Sequence, residues 1–550
     1  MTERPSTISI ERLFRALLAA SLALSALFYF VWSWRWPLVG DASLIHYIGF
    51  LIERGWAPYR QLGDMNMPGS FLIEMTAMRV FGMGDLAWRI FDFTLLAGAS
   101  AAFFVVARNS GAPFVTASSA RVESNNQWLP ALFSASLFIL IHGRDGLAEG
   151  GQRDLTMAVC LLAATAFLFL AVRKRSLWAA AAFGLLSGIA LTIKPTALPL
   201  SVAELTIALF ALRRSSRIDP AIPNNIAARF AAPAILTALI APAIALAFVL
   251  RQHALTAFLA GFHGIVPFYA SLGHRPLSFV VLHSVSPLLP IVIVWLVVLA
   301  LQRKIVYWSP DWERNVLLIG VLFGLLNCVI QQRALPYYRY PLLAFLLPLI
   351  AKDLFATLDR PTAPANSVPG KAARCLSLAA LVFGSLFLAP QSGVLIHRYQ
   401  WGNTEFITTL QQNLATLGGP SLSGRIQCID SISGCGNVLY RMRLEPATGV
   451  LSDFLLFGQA GQDPDSVAIV RQTRAEFSAA VLAHPPQVII VTSHLHIDGP
   501  DNFEKLARWP AFADFLATRY TLRTEWSPTR TARWWSREET PASYRIYVLR

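Results

Sequence analysis

The chain has 550 residues, 55% of them hydrophobic and 14% charged, with a mean hydropathy of +0.50. Soluble proteins carry roughly 25% charged residues, so a purely water-soluble fold is excluded. The 46 Lys and Arg against 32 Asp and Glu leave a formal charge of +14, and five cysteines are too few for a disulfide framework.

Charge is unevenly spread: residues 1–396 carry +13 and residues 397–550 carry +1. The first part alternates apolar runs with short polar connections, and the second reads as a water-soluble domain. The predicted architecture is therefore an α-helical polytopic membrane body over 1–396, followed by a soluble α/β domain over 397–550.

A hydrocarbon core about 30 Å thick needs roughly 20 apolar residues of helix. Eleven spans are predicted, at 13–34, 88–107, 128–142, 155–172, 177–193, 196–212, 231–250, 284–301, 316–332, 341–357 and 376–396. The first is long for a signal peptide and reads as an uncleaved anchor. An odd count puts the termini on opposite sides of the membrane. With a cytoplasmic N-terminus, the inner connections hold 19 basic residues and the outer ones about 11, as the positive-inside rule requires. The basic excess is then a topological signal, and no nucleic-acid partner is expected. Residues 359–371, with Pro361, Pro364, Pro369 and Gly370, read as an inner loop.

The outer connections hold the chemically informative residues. The longest, Arg35 to Ala87, contains Asp41, His46, Glu53, Asp64 and Met67-Pro68-Gly69. Its stretches 42–54 and 69–81 have helical apolar spacing but are too short or too polar to span, so they are expected to lie along the membrane surface. Asp41 precedes the first stretch, where it could also serve as a helix N-cap. Asp64 sits in a turn-rich segment, and Glu53-Arg54 reads as a solvated pair at a helix end.

The loop after the third span runs from His142 to Asp154, with five charged residues and four glycines in 13 positions. Glu149, Arg153 and Asp154 are its candidate substrate contacts. Lys194 ends the fifth span. Arg333, Tyr337, Tyr338 and Arg339 crowd the connection before the tenth span. Cations there suit a lipid phosphate, although snorkelling and aromatic belts give the same signature. Asp92 and Glu204 are isolated intramembrane acids. His253, His263, His274 and His283 match no metal motif and read as loop or interface residues, and no metal is expected at His484, His494 and His496.

The 35–89 segment resembles the membrane glycosyltransferases of the GT-C class, which include protein O-mannosyltransferases and the aminoarabinose transferases of lipid A. The resemblance rests on Asp41, an interfacial helix to Arg54, Gly55-Trp56-Ala57-Pro58-Tyr59, Asp64, Met67-Pro68, Phe81-Gly82 and Arg89. It departs from the pattern at Asp41-Ala42, where many relatives have Asp-Glu; a divalent metal is therefore not supported by a clear motif, and no cofactor is assigned. The resemblance implies transfer of a sugar from a polyprenyl-phosphate donor to a lipid, glycan or protein acceptor on the periplasmic side of a bacterial inner membrane. It implies an inverting displacement with Asp41 as general base, since a carboxylate held out of bulk water abstracts a hydroxyl proton more readily. The alternative functions are a lipid-linked saccharide transporter or a polysaccharide polymerase or ligase.

Beyond 397, strands are predicted at 425–429, 488–491 and 544–548 and helices at 437–444, 472–483 and 510–519, a small domain with a partly parallel sheet. Cys428 and Cys435 either close a short loop in an oxidising compartment or remain two buried thiols. Cys160, Cys328 and Cys375 read as apolar filler.

Overall fold

The computed structural model describes residues 10–107, 128–146, 152–218, 223–302, 311–359, 368–398, 403–431, 433–458, 464–495, 499–528 and 542–550. The chain opens with α1 (Ile10–Ser33), then α2 (Gly40–Glu53), α3 (Pro68–Phe81) and α4 (Asp85–Val106). Next come α5 (Trp128–Asp145), α6 (Arg153–Lys174), α7 (Leu177–Ile193) and α8 (Ala197–Ile218), followed by α9 (Ile226–Ala238), α10 (Ile240–Arg251) and α11 (Leu255–Ser271). The body continues through α12 (Leu277–Val285), α13 (Leu289–Leu301), α14 (Trp312–Gln331), α15 (Tyr340–Asp359), α16 (Val368–Val382) and α17 (Ala389–Arg398).

Among the described residues, eight helical stretches are long and apolar enough to cross a membrane. The expected third, fifth and sixth spans are helices too (α5, α7 and α8), but shorter or more polar than these eight. Two expectations are corrected. The segment after the seventh span, read as a loop, folds into α11. The 359–371 loop is shorter at its far end, because α16 already starts at Val368; residues 360–367 lie outside the described part.

Several polar groups inside the bundle bond one another, which offsets the cost of burying them in hydrocarbon. Arg89 and Asp92, both fully buried, approach to 2.8 Å, and Arg89 also donates to Tyr29 Oη and, at 2.8 Å, to Ser33 Oγ. His142 Nδ1 lies 2.8 Å from Tyr340 Oη, and its Nε2 lies 3.3 Å from Asp92. This knot ties α1, α4, α5 and α15 together. Glu204 accepts Thr165 Oγ1–H at 2.8 Å. Glu53 pairs with Arg79 of α3 at 3.0 Å rather than with Arg54.

The remaining elements are α18 (Asn403–Leu417), β1 (Ile426–Ile429), α19 (Cys435–Met442), α20 (Phe454–Phe457), α21 (Pro464–Ala483), β2 (Val488–Thr492), β3 (His494–Leu495), β4 (Gly499–Pro500), α22 (Pro510–Arg519), β5 (Tyr520–Trp526) and β6 (Tyr544–Leu549). The main sheet has the order β1-β2-β6-β5, parallel between β1 and β2 and antiparallel elsewhere. Strand β5 was not anticipated: its pattern is mostly exposed, as suits a sheet edge. Cys428 and Cys435 form a disulfide. Cys160 and Cys328 sit inside spans, whereas Cys375 is an exposed residue of α16.

Helices α7 and α9 approach closely because Gly184 and Gly188 of α7 face α9. A Cβ at Gly184 would stand 1.9 Å from the Ala234 carbonyl oxygen, and one at Gly188 would stand 2.3 Å from that of Ala238. This is the small-xxx-small packing of membrane helices. Gly184→Val is therefore expected to destabilise the bundle by about 1–3 kcal/mol, read as a lower thermal midpoint of the purified protein in detergent. An unchanged midpoint would mean that α9 yields freely.

Candidate active site

Helix ends from separate parts of the body converge beside the 35–87 loop. Val39, in an extended conformation, takes the N-cap position of α2, so Asp41 lies in the first turn and is not the cap. Its Oδ2 stands 3.9 Å from Arg153 Nη2, at the start of α6, with the two side chains 22% and 17% exposed. Asp64 joins them from the turn before α3. Desolvation pushes its carboxyl up to about 6, although the Asn66 N–H bond and the Arg153 charge act in the opposite direction. Gly69 allows α3 to start against the end of α7: a Cβ there would stand 2.2 Å from Thr192 Oγ1.

Asp41, Asp64, Asn66, Arg153 and Tyr269 line a common cavity with Ser431, Ser452 and Phe454 from beyond the sheet's first strand. Arg153 also lies within electrostatic reach of Asp154 and Tyr337. Thus Asp41, Asp64, Arg153, Asp154 and Tyr337, predicted from four separate stretches of sequence, are brought together.

The expected cations divide into two kinds. Lys194 Nζ bonds both Asp154 oxygens at 2.7 Å and Gln331 Oε1 at 3.1 Å, and lies 5.1 Å from the Tyr338 ring. Burial lowers its pKa from the ordinary lysine value despite the carboxylate beside it. The pairing follows helix polarity, with Asp154 in the first turn of α6 and Lys194 just past the last turn of α7. Arg339 is buried against Asp145 at 3.0 Å. Arg333 differs. It is 8% exposed, its guanidinium lies 3.7 Å from the Tyr269 ring centre, and neither terminal nitrogen has a hydrogen-bond acceptor among the described residues.

The 142–154 connection is less of a loop than expected, because His142 to Asp145 belong to α5 and Arg153-Asp154 to α6. Glu149 lies outside the described residues. Three contributors escaped the sequence reading. Tyr269 closes α11, whose 17 residues were a legible apolar run with aromatics at its end. Ser431 and Ser452 sit in turns that carry no local signal.

The sheet-bearing segment is held over this site by specific bonds. Tyr47 Oη donates to the Leu444 carbonyl at 3.0 Å, Trp56 Nε1 to Glu445 at 2.9 Å, and Arg441 Nη2 to both Asp85 oxygens at 2.9 and 2.8 Å. Below them, His46 Nε2 lies 2.8 Å from Glu74 Oε2, both side chains buried.

No protein-family model and no curated protein matches the chain. Solved structures do. ArnT from Cupriavidus metallidurans in the apo state matches at 14% identity and a TM-score of 0.58, over 97% of this chain and 98% of that one. The same protein bound to undecaprenyl phosphate matches at 12% identity and a TM-score of 0.53, over 96% and 98%. The arabinofuranosyltransferase AftD from mycobacteria matches at 14% identity and a TM-score of 0.49, over 97% of this chain and 41% of that one. The chain has the GT-C fold that its 35–89 segment resembles.

Proposed function

We propose that this protein is a membrane glycosyltransferase that moves a sugar from a polyprenyl-phosphate donor to an acceptor on the outer side of a bacterial inner membrane. The N-terminus is then cytoplasmic, and residues 397–550 lie in the periplasm. The observation that carries this reading is the cavity in which Asp41 faces Arg153, next to an Arg333 whose buried terminal nitrogens lack an acceptor among the described residues. An unsatisfied buried guanidinium is costly, and a phosphate oxyanion matches its fork of donors. Undecaprenyl phosphate is the ligand named for one of the ArnT structures of like fold.

In the transfer, Asp41 takes the proton from an acceptor hydroxyl as its oxygen attacks the anomeric carbon from the face opposite the phosphate. The new C–O bond forms with inversion, and the bond to phosphate oxygen breaks with its electron pair going to the leaving lipid phosphate. Arg333 stabilises the charge that develops there. Lys194 and Arg339 are already bonded to carboxylates, so their part is to hold Asp154 and the Tyr337-Tyr338 turn in place. Arg153 orients Asp41, and Asp64 sets the local field.

Asp41→Asn is expected to lower transfer from a radiolabelled polyprenyl-phosphate sugar by about 10²-fold or more, with an unchanged melting midpoint. Full activity in a folded variant would remove the base. Arg333→Gln is expected to weaken undecaprenyl phosphate binding by about tenfold or more, measured by thermal shift in detergent.

Asp64 gives the pH dependence. Its folded value of about 6 exceeds the roughly 4 of a free carboxyl. The stability it contributes is therefore fully present below about 4 and is lost as pH rises through about 6. Ionised Asp64 places a negative charge close to the proton that Asp41 takes, so transfer should rise through the same range. Asp64→Asn should flatten both curves, and a rate profile identical to the wild type would exclude this coupling.

A further inference from the structure

The transfer chemistry accounts for Asp41, Arg153 and Arg333 but leaves another part of the cavity wall unused. Asn66 is 4% exposed and lines the cavity. Its backbone is fully bonded, the N–H to Asp64 Oδ1 at 2.5 Å and the carbonyl to Tyr59 Oη at 2.7 Å. Its side-chain oxygen Oδ1 nevertheless has no partner among the described residues. An amide end left so is costly unless a ligand meets it. A hydroxyl suits it particularly well, because it donates and accepts and so satisfies the amide in either orientation.

The surroundings narrow the ligand further. Arg153 is the one cation among the described residues that line the cavity, and two carboxylates, Asp41 and Asp64, line it as well. An anionic acceptor would therefore meet like charge. Ser431 and Ser452 add hydroxyls, and Phe454 with Met65 adds apolar surface for the C–H face of a sugar ring.

The hydroxyl wall is rigidly presented. Ser431 Oγ donates to Asp453 at 2.5 Å, and Asp453 pairs with fully buried Lys505 at 2.8 Å. Asp430 accepts the N–H groups of Ser433, Gly434 and Cys435, and the Cys428–Cys435 disulfide closes that loop.

We infer that the acceptor is a neutral, hydroxyl-bearing saccharide, and that Asn66, Ser431 and Ser452 form its subsite, two of the three supplied from beyond β1. This inference rests on the transferase reading above and names its acceptor class. Sugar binding can, however, be read without any transfer.

The full chain in lipid nanodiscs is examined by saturation-transfer NMR against a panel of neutral disaccharides (maltose, cellobiose, mannobiose and galactobiose) and against glucose 6-phosphate. Undecaprenyl phosphate binding is measured separately. At least one neutral disaccharide is expected to receive saturation, with affinity lowered about fivefold or more in Asn66→Ala and in Ser452→Ala, and glucose 6-phosphate is expected to receive none. Melting midpoints show that each variant folds, and either variant suffices. Binding of glucose 6-phosphate in place of the neutral sugars would overturn the inference. So would silence from the whole neutral panel, or equal affinity in wild type and folded variants. Failure of the wild type to bind undecaprenyl phosphate would instead remove the donor assignment, a result separable from the sugar signal.

Discussion

The approach of Arg153 to Asp41 is the interaction around which the rest of the site is arranged. Two carboxylates and one guanidinium share a partly desolvated cavity, where the charges must be balanced locally because water does little screening. Arg153 can serve both acids only because α6 begins at that residue and α2 begins one residue before Asp41. Each helix start also brings partial positive charge to an acid, which suits Asp41 in one case and Asp154 in the other.

The hydrocarbon interior imposes a second rule: an ionised group is costly there without a counter-charge, and several of the described cations are matched with acids. Arg89 with Asp92, Lys194 with Asp154, and Arg339 with Asp145 are each matched within hydrogen-bonding distance. Such pairs gain little net stability, but losing one partner would leave an uncompensated buried charge. Against that background Arg333 stands apart, resting on an aromatic ring where a carboxylate would be expected. In the proposed reaction this difference is functional. Paired cations shape the pocket, and the guanidinium without an acceptor among the described residues receives the phosphate.

The sheet-bearing segment completes the cavity. Its contacts with α2, the turn after it and the start of α4 pass through an amphipathic set of bonds: buried Tyr47 and half-buried Trp56 reach Leu444 and Glu445 with their polar tips. The Lys505–Asp453 pair is more deeply buried than any surface bridge and fixes the turn carrying Ser452. The segment is thus coupled to the site through Ser431, Ser452 and Phe454, and this coupling gives the proposed acceptor subsite its shape.

Much of the architecture was legible in the chain itself, for a physical reason. Hydrocarbon selects long apolar helices, so spans such as 155–172 and 316–332 announce themselves by composition, and strands β1, β2 and β6 by apolar or alternating runs. Asp41, Asp64, Arg153 and Lys194 were legible as candidates because charged residues beside spans are conspicuous. What composition could not decide was partnership. Nothing local distinguishes Lys194, engaged by Asp154, from Arg333, stacked on Tyr269, because both are basic residues at the end of an apolar run. Helix α11 was read as a loop because His263 and Pro267 interrupt its apolar run, and the Cys428–Cys435 bond required the two chain positions to be folded together. The sequence by itself determined which groups sit at the membrane boundary. Only the tertiary structure decided which charges neutralise one another and which remain for a ligand, because that depends on distances between residues far apart in the chain.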